Sequence, residues 1–103
     1  MAEAVGTAHR NFIGGEWVSS ESGETYPITN PAHKKTVVGR FQASTVNDAE
    51  SAVAAARAAL PGWADTPAPA RASVLFKALG ILERRGDELA RSITVEEGKP
   101  LAD

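Results

Sequence analysis

Asn11-Phe12-Ile13-Gly14-Gly15-Glu16-Trp17-Val18 frames the rest of this 103-residue chain. Two three-residue runs, each bearing large apolar side chains, flank a glycine pair. Adjacent glycines supply the positive φ angles of a tight hairpin turn, so the stretch predicts two antiparallel strands. A lone hairpin is marginal in water. The remaining sequence must therefore provide something for it to lie on.

Downstream, Ser19 to Gly23 is polar and loop-like, and Thr25-Tyr26-Pro27-Ile28-Thr29 follows as a candidate strand. Pro27 restricts that strand to an edge or an end, because proline donates no ladder hydrogen bond. Asn30-Pro31 opens a turn, and Thr36 to Phe41 forms the next strand. Beyond Phe41 the composition changes, and most of the 19 alanines lie there. Thr45 followed by Asp48 resembles a capping box, with Asp replacing the usual Glu or Gln. Ala49, Val53, Ala56 and Leu60 then recur on one helical face. Pro61-Gly62 is the expected stop, with Trp63 as an apolar anchor under the connector to Pro69. A second helix should begin near Pro67 or Pro69, since a first-turn proline loses no hydrogen bond. Leu75, Leu79, Leu82, Gly86, Leu89 and Ile93 follow at steps of 4, 3, 4, 3 and 4, a heptad-like stripe ending at Gly98-Lys99-Pro100. The fold class is thus an α+β piece of an α/β protein. Residues 1–10 are expected to be disordered, 11–43 to hold the short strands and hairpin, and 44–103 to form two amphipathic helices.

Composition removes several functions. Eleven basic against thirteen acidic residues leave a formal charge of −2, with no basic cluster to track nucleic acid. No apolar run is long enough to span a membrane. The first ten residues lack the apolar core of a secretion signal and carry Glu3, which makes a cytoplasmic location the default expectation. There is no cysteine, hence no disulfide, thiolate nucleophile or Cys-ligated metal in this chain. His9 and His33 lack a second histidine at helical spacing and read as solvated. Glu96 and Glu97, adjacent on a helix, point about 100° apart and do not converge on one atom. Asn30 reads as a turn former rather than a ligand amide. No Walker loop and no G-x-G-x-x-G fingerprint is present.

Taken in order, Phe12-Ile13-Gly14-Gly15-Glu16-Trp17-Val18, Asn30-Pro31-Ala32, the Ala-rich helix closing on Trp63, Pro69-Ala70-Arg71 with Leu75, and Glu97-Gly98-Lys99-Pro100 resemble the amino-terminal segment of the aldehyde dehydrogenase superfamily. The resemblance runs from Asn11 to Asp103. Val38-Gly39-Arg40-Phe41-Gln42-Ala43-Ser44 is further similar to members acting on semialdehydes such as 2,5-dioxovalerate. In that family a cysteine thiolate attacks the aldehyde, hydride passes to NAD or NADP, and a glutamate-activated water hydrolyses the thioester, with backbone and asparagine N–H groups holding the oxyanion.

The resemblance places every catalytic and cofactor-binding residue beyond Asp103, so none is assigned to this chain, and no cofactor is expected to bind it alone. It implies that the helices pack on a cofactor-binding domain and that the parent enzyme is homo-oligomeric. It also implies that the carbonyls of Ile28 and Thr29 are ligands to a monovalent cation, completed by residues past Asp103. The expectation is an aldehyde dehydrogenase piece without activity of its own. Its partner would be the remainder of the enzyme, joined or as a split polypeptide. The alternative is a stand-alone interaction or oligomerisation module using the Leu75–Ile93 stripe. An uncovered stripe would leave an apolar patch, marginal stability and self-association.

Overall fold

The computed structural model describes residues 7–101. Five short strands precede three helices: β1 (Ala8–His9), β2 (Asn11–Ile13), β3 (Glu16–Val18), β4 (Thr25–Thr29), β5 (Val37–Gln42), α1 (Val46–Asp65), α2 (Ala68–Arg84) and α3 (Gly86–Glu97). The hairpin forms where the glycine pair directs it. Phe12 pairs with Trp17, and Gly14 and Gly15 both have positive φ, at 62° and 83°. A separate three-stranded sheet runs β1-β5-β4, with β1 parallel and β4 antiparallel to β5. Pro27 accordingly sits on an edge strand.

Disorder through residue 10 does not hold for the end of that stretch. Ala8 and His9 pair with Arg40 and Phe41, and the Arg40 N–H donates to the Thr7 carbonyl at 2.9 Å. Residues 1–6 lie outside the described residues.

The start of α1 is the capping box. The Asp48 N–H donates to Thr45 Oγ1, and the Thr45 N–H donates to Asp48 Oδ2 at 2.8 Å. The expected stop at Pro61-Gly62 is overturned, for α1 continues to Asp65. Proline inside the last turns removes one hydrogen bond without ending the helix. What ends it is Pro67, which forces the preceding Thr66 into extended backbone at φ −68° and ψ 129°. Thr66 also closes two loose carbonyls, its N–H donating to Trp63 and its hydroxyl to Gly62. Trp63 is therefore a residue of α1 with an exposed ring, not an anchor beneath the connector.

The second expected helix is two helices. Arg85 leaves helical geometry at φ −105° and ψ 18°, capping α2 and opening α3 together. Gly86, a poor helix former, follows it. The Arg85 guanidinium also grips Glu88 in the first turn of α3 through Nε at 3.0 Å and Nη2 at 2.6 Å.

Little is enclosed. Val38 is the one buried apolar side chain among the described residues, and Ser20 the one buried polar residue. The chain exposes 7803 Å², against about 5,500 Å² for a self-contained monomer of its mass. Its radius of gyration is 17.0 Å, where about 13 Å is usual for this length. These helices cover no core of their own.

Candidate functional site

Three places carry the chemistry this chain offers: a polar joint, a turn that meets the end of α3, and the apolar face of the helices.

The joint ties the strand half to α1. Ser20 donates its hydroxyl to Asp48 Oδ2, the Glu21 N–H donates to Asp48 Oδ1 at 3.2 Å, and the Gln42 side chain accepts from the Ser20 N–H at 2.8 Å. The Ser20 hydroxyl first, then the Thr45 N–H, hold the Asp48 carboxyl down at about 2, against an ordinary 3.8. Every donor is spent inside the chain. The joint is structural: it fixes the loop after β3 to the helix start and presents no open chemistry.

The turn lies after β4. Asn30 Oδ1 accepts from the Ala32 N–H at 2.8 Å and the His33 N–H at 3.3 Å, so its amide is committed to the turn. Gly98 caps α3 at φ 85°. A side-chain carbon placed on it would lie 3.6 Å from the Ala32 nitrogen and 3.7 Å from Asn30 Oδ1. Two motifs far apart in sequence, Asn30-Pro31-Ala32 and Glu97-Gly98-Lys99-Pro100, thus meet. Ile28 and Thr29 enter this turn. Ile28 pairs with Gly39 and Thr29 with Val37, so the register skips Val38 and the ladder is disrupted between them. Among the described residues no group of three or more His, Cys, Asp or Glu could hold a metal ion. Glu96 and Glu97 are exposed at the end of α3 and gather with no other carboxylate.

The two histidines part ways. His33 is exposed in the turn, as expected. His9 is not solvated: its ring stacks on Phe41 at 4.9 Å and 17°, over Gly39, with Nε2 buried and without a partner among the described residues. Sequence reading missed this cluster, and also Arg71, whose Nε is buried and likewise without a partner.

The third place is the largest. Val53, Leu60 and Trp63 on α1, Val74, Leu75, Phe76, Leu79 and Leu82 on α2, and Leu89 and Ile93 on α3 are all exposed, Leu75 at 66% and Phe76 at 71%. No helix is long and apolar enough to cross a membrane. Exposed apolar surface on this scale is unusual for a self-contained monomer.

Comparison with known proteins agrees with that geometry. The alpha-ketoglutarate semialdehyde dehydrogenase of Haloferax volcanii is 49% identical over 90 residues, which is 87% of this chain and 19% of that protein. The malonate-semialdehyde dehydrogenase of Halalkalibacterium halodurans is 43% identical over 96 residues, 93% of this chain and 20% of that one. Among solved structures, the NAD-dependent aldehyde dehydrogenase from Sinorhizobium meliloti superposes with a TM-score of 0.88 at 31% identity, covering 95% of this chain and 20% of that chain. The chain therefore spans about a fifth of the length of the relatives it matches. The model of the aldehyde dehydrogenase family matches residues 17–103, and the chain belongs to that family.

Proposed function

We propose that this chain serves as the opening structural layer of an NAD(P)-dependent aldehyde dehydrogenase that oxidises a semialdehyde to the carboxylate. It contributes scaffold rather than chemistry. The carrying observation is the set of large exposed apolar side chains on α1, α2 and α3, with Val38 the one buried apolar side chain among the described residues. Such a face is stable when packed on the remainder of an enzyme and costly when left in water. The nucleophile must come from that remainder, since these 103 residues include no cysteine. The semialdehyde class rests on the names of the relatives and on the resemblance of residues 38–44. NAD or NADP would be bound by the remainder, in a cytoplasmic, homo-oligomeric enzyme.

Ile28 and Thr29 would supply two carbonyls to a monovalent cation, which the disrupted ladder favours. The bound cation would lend its charge to hold that turn, and its other ligands would come from the remainder.

A stand-alone oligomerisation module through the Leu75–Ile93 stripe is the competing use. The break at Arg85 weighs against it, because it splits the stripe into two short pieces, each below the three to four heptads of a coiled coil.

The test is twofold. The purified chain, mixed with malonate semialdehyde and either NAD or NADP, should produce no reduced cofactor above background. The same chain, grafted in place of the matching segment of the Halalkalibacterium halodurans enzyme, should give an active dehydrogenase. Enzyme-like turnover by the chain alone, or a graft that cannot fold, contradicts the reading.

A further inference from the structure

His9 is seated on β5 rather than in water. Its ring stacks on Phe41 with centroids 4.9 Å apart and 17° between the planes, and it lies over Gly39, where a side-chain carbon would stand 2.8 Å from Nε2. Nε2 is buried there and has no hydrogen-bond partner among the described residues. A neutral imidazole tolerates this seat, because it can carry its one proton on Nδ1 and leave Nε2 bare. An imidazolium carries a proton on both nitrogens, and a charged N–H shut away from water without an acceptor is destabilising. The seat therefore selects the neutral ring.

The surroundings offer the charged form nothing. On its face of the sheet His9 meets Gly39 and Phe41 of β5 and, one strand further, Tyr26 of β4. The hairpin adds Trp17, which shares a recess with Thr7, Ala8, His9 and Arg10. Arg10 is a like charge, a phenol such as Tyr26 does not titrate where imidazole does, and the Arg40 guanidinium is spent on Thr25. The one ion pair among the described residues is Arg85–Glu88, so no carboxylate holds an imidazolium at β1. This strand has two residues. Its backbone is tied by the ladder to β5, by the Arg40 N–H donating to the Thr7 carbonyl at 2.9 Å, and by Gln42 Nε2 donating to the His9 carbonyl at 3.0 Å. Amides and carbonyls do not change charge near neutral pH, which leaves the ring as the one titrating tie of β1.

We propose that protonation of His9 drives its ring off Phe41 and loosens β1 from β5, which makes the first strand an acid-sensitive clasp on the sheet. The seated ring binds fewer protons than the freed one, so the clasp strengthens as pH rises. It weakens as pH falls below about 6.5, where a free imidazole takes up its proton. Gln42, which holds the His9 carbonyl, also accepts from the Ser20 N–H at 2.8 Å. A loosened β1 thereby frees one end of the link that runs to the joint at α1.

The test follows the Arg40 amide by hydrogen exchange in the full chain from about pH 8 to about pH 5, with each rate divided by the intrinsic rate at that pH. Protection should fall about fivefold across this range, toward the level of His9→Ala, as the stacked pair is given up. In His9→Ala it should stay flat with pH. His33→Gln, which removes the chain's other histidine in the exposed turn, should leave the wild-type profile unchanged. If His9→Ala does not pair β1 at all, the His33→Gln chain decides alone, because its one remaining imidazole must titrate by NMR over the pH range in which Arg40 loses protection. Protection that stays level in the wild-type chain, falls equally in His9→Ala, becomes level in His33→Gln, or is lost outside the range of the imidazole overturns the proposal.

Discussion

Gly39→Ala tests whether His9 holds β1 against the sheet. A side-chain carbon on Gly39 would stand 2.8 Å from His9 Nε2 and 2.9 Å from its Cδ2, but 3.6 Å from Phe41 Cε2. Phe41 can stay where it is and the imidazole cannot. Moving the ring off Phe41 forfeits a stacked pair worth about 0.5–1.5 kcal/mol. Alanine in a strand returns about 0.5–1 kcal/mol of chain entropy, so overall stability should scarcely change. The local effect differs, because β1 has only two residues and loses its anchoring side chain. The Arg40 amide, which donates to Thr7 at 2.9 Å, reports that pairing. Its hydrogen exchange should quicken about fivefold in Gly39→Ala, the equivalent of about 1 kcal/mol of local opening. His9→Ala should quicken it similarly. In the double variant the obstructing ring is already gone, so exchange should be no faster than in His9→Ala alone. Accelerations that multiply, leaving the pair additive to within about 0.3–0.5 kcal/mol, would refute the contact as the cause.

Two further outcomes follow from local geometry. Gly98→Ala should destabilise by about 1–2 kcal/mol, from its left-handed backbone alone, since its neighbours at 3.6–3.7 Å leave ordinary room. Gly86→Ala, in helical backbone with nothing within 4 Å, should instead gain about 0.5–1 kcal/mol; urea midpoints that move the same way in both variants would contradict this. For Asp48, the folded carboxyl binds its proton near 2 rather than 3.8. The native state thus binds fewer protons between those values, and stability rises with pH across that window. The joint's contribution is complete above 3.8 and lost as pH falls through about 2. The Thr45 amide, which donates to Asp48, should titrate by NMR with a midpoint near 2, and a midpoint near 3.8 would show that the joint does not form.

Elements whose cause is local were legible in the residues themselves. Gly14-Gly15 made the hairpin, Thr45 and Asp48 made the cap, Thr25 to Thr29 made the edge strand, and Gly98 made the stop. Each depends on dihedral preferences or hydrogen bonds within a few positions. Misreadings arose where two local signals competed. Pro61 resembled a helix end, but the stronger restriction lay at Thr66-Pro67. Gly86 fell inside the stripe of one expected helix, but the backbone turns aside at Arg85.

The candidate site was legible only in part. Ile28, Thr29 and Asn30 were singled out in sequence, and the meeting of that turn with Gly98 was not. Arg71 was quoted only as part of a motif, and nothing in its neighbours along the chain says that its Nε is shut away from water.

By itself the amino-acid order determined the α+β character and the absence of a thiolate, which follow from periodicity and composition, and its motifs carried the resemblance to the family. Tertiary structure alone decided that β1 returns beside β5, that Ser20 closes on Asp48, and that the leucines of α2 and α3 stay exposed. Those outcomes depend on residues distant in sequence brought within a few ångströms. Short-range dihedral preference carries no record of such closures.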